Sequence, residues 1–148
     1  MDFSGEFKVK REIGYVSEFL ANIENILPCL LGIYDIEREK DQIKCKIKLD
    51  ISAANISAMK SVTGKMAFKY IDSAEKLNIT GSGRIAGSKI NFAVDIEYKK
   101  EGDCTAINWF SSFDFGLIIK IMGKTKVEEI SKLNINRTME CIINKLEN

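Results

Sequence analysis

An α+β fold, in which a curved antiparallel sheet of about six or seven strands wraps a long C-terminal helix, is predicted by three features of the sequence. Apolar and polar residues alternate with period two along most of the chain between Ile33 and Phe115, as in strands buried on one face. The period changes to helical spacing between Arg11 and Leu27. From Lys124 to Leu146 no proline or glycine interrupts a second, longer helical segment, so nothing in it breaks the backbone ladder.

The first strand is FSGEFKV, with Phe3, Phe7 and Val9 on one face and Ser4, Glu6 and Lys8 on the other. Gly5 falls on the apolar face and leaves room there. Ile13, Val16, Phe19, Leu20, Ile23 and Leu27 then recur at helical spacing, which predicts one or two short helices. Pro28 ends them, because it lacks an amide hydrogen and pushes Leu27 toward extended geometry. Gly32 permits the turn that redirects the chain into sheet.

GIYDIER is a short strand, and QIKCKIKLDI alternates Ile43, Cys45, Ile47, Leu49 and Ile51 against Lys44, Lys46 and Lys48. SVTGKMAFKYI, KLNITGSGR, KINFAVDIEY and TAINWFSSFDF repeat the pattern, with polar hairpin connections expected at Asp72-Ser73 and Glu101-Gly102-Asp103. In the final helix, Val127, Ile130 and Leu133 lie on one side and Ile135, Met139, Ile142 and Leu146 lie well round from them. Such a helix either bends near Asn134-Ile-Asn136 or meets apolar surface over a wide arc.

With 148 residues, 45% hydrophobic and 29% charged, the chain falls in the range of one globular domain, 1–148, able to bury a substantial core. Its 22 Lys+Arg against 21 Asp+Glu leave a formal charge of +1, so no global field favours nucleic acid or an anionic membrane. The N-terminus carries no apolar signal core and GLIIKIMG is broken by Lys120. A cytoplasmic protein, with at most peripheral membrane contact, is expected. Cys29, Cys45, Cys104 and Cys141 are widely spread and the chain has no histidine. The expectation is small buried thiols and no metal site, with a disulfide left open as in intracellular proteins of hyperthermophiles.

Strand, short helices, a run of antiparallel strands and a long terminal helix is the element order of the helix-grip, or START-like, fold, in which a bent sheet grips the last helix and leaves a cavity between them. Within it the chain resembles the carbon monoxide dehydrogenase G-subunit family. FSGEF, Phe3 to Phe7, is similar to that family's opening F-x-G-x-F/Y. CLLG, Cys29 to Gly32, is similar to its Cys-Ile/Leu-Pro-Gly motif, with Leu31 in the place of proline. Gly81-Ser-Gly83, Thr105 to Trp109 and GLIIKIMG resemble its later glycine-bearing and helix-entry segments. The order and spacing of these pieces carry the likeness from Phe3 to Leu146. Some relatives carry an apolar C-terminal anchor; this chain stops at Asn148, and direct anchoring is not expected.

A ligand cavity between sheet and helix would be lined by Phe68, Ile79, Phe92, Val94, Trp109, Phe113, Met122, Ile130 and Leu133, each also suited to ordinary core. Pro28 and Gly32, where the short helices meet the sheet edge, suit a movable gate as well as a plain corner. The small residues of SAANISAMKS (52–61) and the glycines at 81, 83 and 87 fit either a cavity or a bent strand. Trp109 and Tyr70 offer polar tips to a ligand. With no imidazole, no catalytic residue is assigned; Asp95, Asp114 and Glu97 are the acids that could act in principle, but Asp95 and Glu97 fall on the polar side of their strand.

The resemblance implies a carrier or accessory protein. It would hold a lipid-like or quinone-like hydrophobic molecule, with no cofactor of its own, and have a molybdenum hydroxylase-type enzyme as partner. Two alternatives stand beside it: an enzyme of the cyclase or aromatase kind, and a protein–protein adapter with a filled interior, the Lys44-Lys46-Lys48 ribbon being a candidate contact surface.

Overall fold

The alternation resolves into seven strands: β1 (Asp2–Val9), β2 (Ile33–Arg38), β3 (Ile43–Asp50), β4 (Ser61–Ser73), β5 (Lys76–Ile85), β6 (Ser88–Glu101) and β7 (Cys104–Asp114). A computed structural model describes residues 1–30, 32–51, 61–73 and 75–148. Leu31 and most of the small-residue segment 52–61 lie outside the described residues. All seven strands form one antiparallel sheet in the order β1-β7-β6-β5-β4-β3-β2. Only the β1–β7 pairing brings distant sequence together, so the first strand closes the far edge beside the last. The fold is the START-like helix-grip fold, with α1 (Ile13–Ala21), α2 (Ile23–Ile26), α3 (Ile118–Met122) and α4 (Lys124–Glu147).

Hairpin chemistry sets the register. The β5–β6 turn has only Ala86 and Gly87 between Ile85 and Ser88, with φ of 51° and 77°, the left-handed pair that a type I′ turn requires. The β4–β5 turn comes later than the sequence suggests, because Asp72 and Ser73 still pair, with Leu77 and Lys76. Glu75, at φ 61°, stands at that turn in their place.

Asn22 separates α1 from α2 and caps the second, its Oδ1 accepting from the Glu24 amide at 3.1 Å. Pro28 sits in a 3-10 turn, Leu27–Cys29, where its missing amide costs nothing. Cys29 of that turn is bonded to Cys141 of α4, with Cα atoms 5.5 Å apart. The expectation of four buried thiols is thereby corrected for this pair: the sheet and the helix fold back to bring residues 112 positions apart into contact. Cys45 and Cys104 are free.

Helix α4 runs unbroken, and its apolar side chains divide between two clusters. Val127 and Ile130 pack with Ile51, Val62, Ile85, Ile90 and Ile118 at one end. Ile142 and Leu146 pack with Val9, Val16, Leu20, Ile26, Leu77 and Ile107 at the other. That division explains the wide apolar arc read from the sequence. The far end is further pinned where Arg11 Nε donates to the Leu146 carbonyl at 2.8 Å and the Lys10 amide donates to Glu147 Oε2 at 3.1 Å.

Candidate ligand cavity

Between the two clusters the sheet and α4 do not close on each other. A cavity of about 330 Å³ lies there, toward the lower end of the range occupied by small-molecule sites. The inner faces of the strands build one wall, notably Cys45, Met66, Phe68, Ile79, Phe92, Val94, Trp109 and Phe113. Ile23, Ile26 and Leu30 close one end, and Met122, Val127, Ile130 and Ile142 come from the helices opposite. Phe92, Val94, Trp109 and Phe113 face inward yet none is fully buried, because each borders the open space on one side.

Glycines and aromatics shape the wall together. Phe113 stacks between Phe92 and Phe115, at centroid distances of 5.7 and 5.4 Å, and meets Phe3 edge-on at 6.0 Å. The Phe92 ring lies against Gly81, where an added Cβ would stand 2.5 Å from it. At Gly5 the space left on the apolar face is filled across the strand by the Trp109 indole, an aromatic covering a glycine on the neighbouring strand. The room expected at Gly5 is therefore not open.

Eight of the nine side chains expected to line a cavity meet at its wall: Phe68, Ile79, Phe92, Val94, Trp109, Phe113, Met122 and Ile130. Leu133 does not. It is 39% exposed, because at 3.6 residues per turn it falls roughly 140° around the helix from Thr138, which does line the cavity. Pro28 and Gly32 stand beside the cavity rather than in its wall, and both are exposed. Gly32 has φ 83° and comes so near the Lys48 carbonyl that a Cβ there would clash. Tyr70 is not in the wall either; its hydroxyl is buried with no hydrogen-bond partner among the described residues, and burial pushes its pKa up.

The polar candidates for chemistry lie outside. Asp95 is exposed and accepts from Asn78 Nδ2 at 2.7 Å, Glu97 pairs with Lys76 at 3.1 Å, and Asp114 Oδ1 accepts from the Gly116 amide at 2.9 Å. On the lysine ribbon, Lys44 pairs with Glu39 and Lys46 with Asp35, at 3.1 and 3.2 Å, which offsets much of its charge. Among the described residues no three His, Cys, Asp or Glu side chains gather where a metal ion could bind. No helix there is long and apolar enough to cross a membrane.

A family model for CoxG, the G subunit of carbon monoxide dehydrogenase, matches residues 5–147. The chain belongs to the CoxG family. No curated protein sequence matches it. Among solved structures, a conserved protein from Geobacillus kaustophilus superposes with a TM-score of 0.82 at 17% identity, covering 99% of this chain and 95% of that one. The ZhuI aromatase/cyclase from Streptomyces sp. R1128 superposes with 0.69 at 9% identity, covering 99% and 93%. A START superfamily protein from Mycobacterium smegmatis does so with 0.66 at 10%, covering 99% and 97%. At these identities the structural likenesses show the shared fold.

The segments that resemble the CoxG family have local physical roles here. Gly5 seats the Trp109 indole, Cys29 is tied to α4, and the glycine that closes the Cys29 to Gly32 motif takes the left-handed backbone and the close approach to Lys48. Gly116 of the helix-entry segment has φ 57°, and Ser88 supports the turn that follows, its hydroxyl accepting from the Leu117 and Ile118 amides at 2.8 and 3.3 Å and donating to the Phe115 carbonyl at 3.0 Å.

Sequence reasoning missed the polar members of the wall: Ser111 on β7, and Ser131, Asn134 and Thr138 on α4. For the three on α4 the signal was the helical spacing, which sets Ser131, Asn134 and Thr138 on the same side as Ile142, beside Ile135 and Met139.

Proposed function

We propose that this CoxG family member is a non-catalytic carrier that holds a hydrophobic small molecule, lipid-like or quinone-like, between its sheet and α4. It would serve as accessory to a carbon monoxide dehydrogenase-type molybdenum enzyme. The observation that carries the binding reading is the cavity of about 330 Å³, whose described wall contains no charged side chain. An apolar ligand moved there from water gains about 25 cal/mol for each Å² it buries, less the cost of ordering it. The pre-formed wall keeps that cost small, because the Phe92, Phe113 and Phe115 rings already support one another. Family membership supports the accessory role.

Carriage is favoured over catalysis by the same wall. With no carboxylate, imidazole or ammonium among its described residues, it presents no side chain of suitable pKa to move a proton at neutral pH. The test is to purify the protein from its native host, denature it and identify any released molecule by mass spectrometry, analysing the intact sample for co-purifying proteins. A retained apolar molecule and an oxidoreductase component are expected. An empty protein that transforms aromatic polyketides would replace this reading with the cyclase one.

A further inference from the structure

Helix α4 places polar, half-buried residues in the middle of its inward face. Val127 and Ile130 on one side and Ile142 and Leu146 on the other are buried in apolar clusters, yet the turns between them present Ser131, Asn134 and Thr138 to the cavity, flanked by Ile135 and Met139. Leucine or valine there would be the cheaper filling of an apolar interior, since a polar group out of water needs a partner. The helix supplies only part of that need. Asn134 Nδ2 donates to the Ile130 carbonyl at 3.1 Å, and Thr138 Oγ1 donates to the Asn134 carbonyl at 2.9 Å. A carboxamide can make four hydrogen bonds and each hydroxyl can also accept. Among the described residues, Asn134 Oδ1, its second N–H and the Ser131 hydroxyl meet no protein partner. These donors and acceptors face an aromatic wall across the cavity, and no lysine or arginine among the described residues lines it.

From this placement we propose that the site is built for an uncharged amphiphile: a single hydroxyl, carbonyl or amide group of the ligand docks on Asn134 and Ser131 of α4, and its apolar body lies toward Phe92 and Phe113. The inference rests on the carrier reading and adds the ligand's charge, its polarity and its direction in the site. Asn134, donor and acceptor at once, serves either a carbonyl or a hydroxyl. An ionised carboxylate or phosphate would lose its hydration with no cation to replace it.

Binding of n-octane, 1-octanol and octanoate at pH 8 separates the possibilities, the first two by headspace partitioning and the third by equilibrium dialysis. Wild-type protein should bind 1-octanol at least as tightly as n-octane, and octanoate at least a hundredfold more weakly. Asn134→Leu should weaken 1-octanol by tenfold or more while leaving n-octane unchanged or tighter. The double variant Ser131→Ala, Thr138→Val should move the same ratio in the same direction, and it decides the matter if Asn134→Leu fails to fold. Octanoate binding as tightly as 1-octanol, or an octanol-to-octane ratio that neither variant changes, would overturn this inference and leave the carrier reading standing. Binding of none of the three would overturn both.

Discussion

Gly5 and Trp109 face each other across β1 and β7, and a Cβ on Gly5 would lie 2.7 Å from the indole Nε1 and 2.8 Å from two of its carbons. The indole is therefore held against bare backbone on one side and borders the cavity on the other. Gly5→Ala should force the ring to move, costing about 1–3 kcal/mol as an overpacked site does. Denaturant unfolding should show a lowered midpoint and the native emission spectrum should shift; an unchanged midpoint with unchanged emission would refute the packing argument.

The Cys29–Cys141 bond closes a long loop and joins the turn after the short helices to α4. Constraining that much unfolded chain stabilises the fold by about 2–4 kcal/mol. Thiol titration of denatured protein should find two reactive cysteines without reductant, Cys45 and Cys104, and four after reduction. Reduced protein, or Cys141→Ser, should melt at lower temperature than the oxidised form. Equal melting temperatures for samples of verified redox state would contradict the assignment.

Tyr70 carries a buried hydroxyl with no partner among the described residues, and burial, followed by the charge of Asp72, raises its pKa above the ordinary phenol value. The unfolded phenol ionises near pH 10. Since the folded value is the higher one, the contribution is fully present below about pH 10 and is lost as pH rises through the folded pKa. Tyr70→Phe should leave neutral-pH stability unchanged or improved, because it removes an unsatisfied buried group, and should flatten the decline at alkaline pH. A variant as alkali-sensitive as the wild type would place the titrating group elsewhere.

At the entry to the C-terminal helices, Ser88 accepts from two amides and donates to one carbonyl. Ser88→Ala should cost about 0.5–2 kcal/mol, the range for loss of a helix cap. Chemical denaturation checks it, and a change within a few tenths of a kcal/mol would mean that water replaces the hydroxyl.

Much of this architecture is legible in the sequence because period-two alternation and the change to helical spacing report which face is buried. Phe92, Val94 and Phe113 belong to the inner face on that ground alone. Whether they meet other side chains or open space does not follow, since alternation records burial and not filling. Leu133 is misplaced when apolar character stands in for direction, because the helical phase points it outward. Gly5 reads as room because a cross-strand indole is invisible until the β1–β7 register is known. The Cys29–Cys141 pair is equally hidden, since spacing says nothing about which distant cysteines meet. Asn134 and Thr138 escape notice because polar residues on a terminal helix ordinarily face water.

Trp109 is the sole tryptophan and lines the cavity, so its fluorescence reports directly on whether an apolar molecule enters. Titration with 1-bromooctane, whose heavy atom quenches an indole it touches, should give quenching that saturates at one molecule per chain and reverses when a non-quenching alcohol of the same length is added. Quenching that rises linearly without saturation, as for random collision, would show that the interior takes up no ligand and would contradict the account.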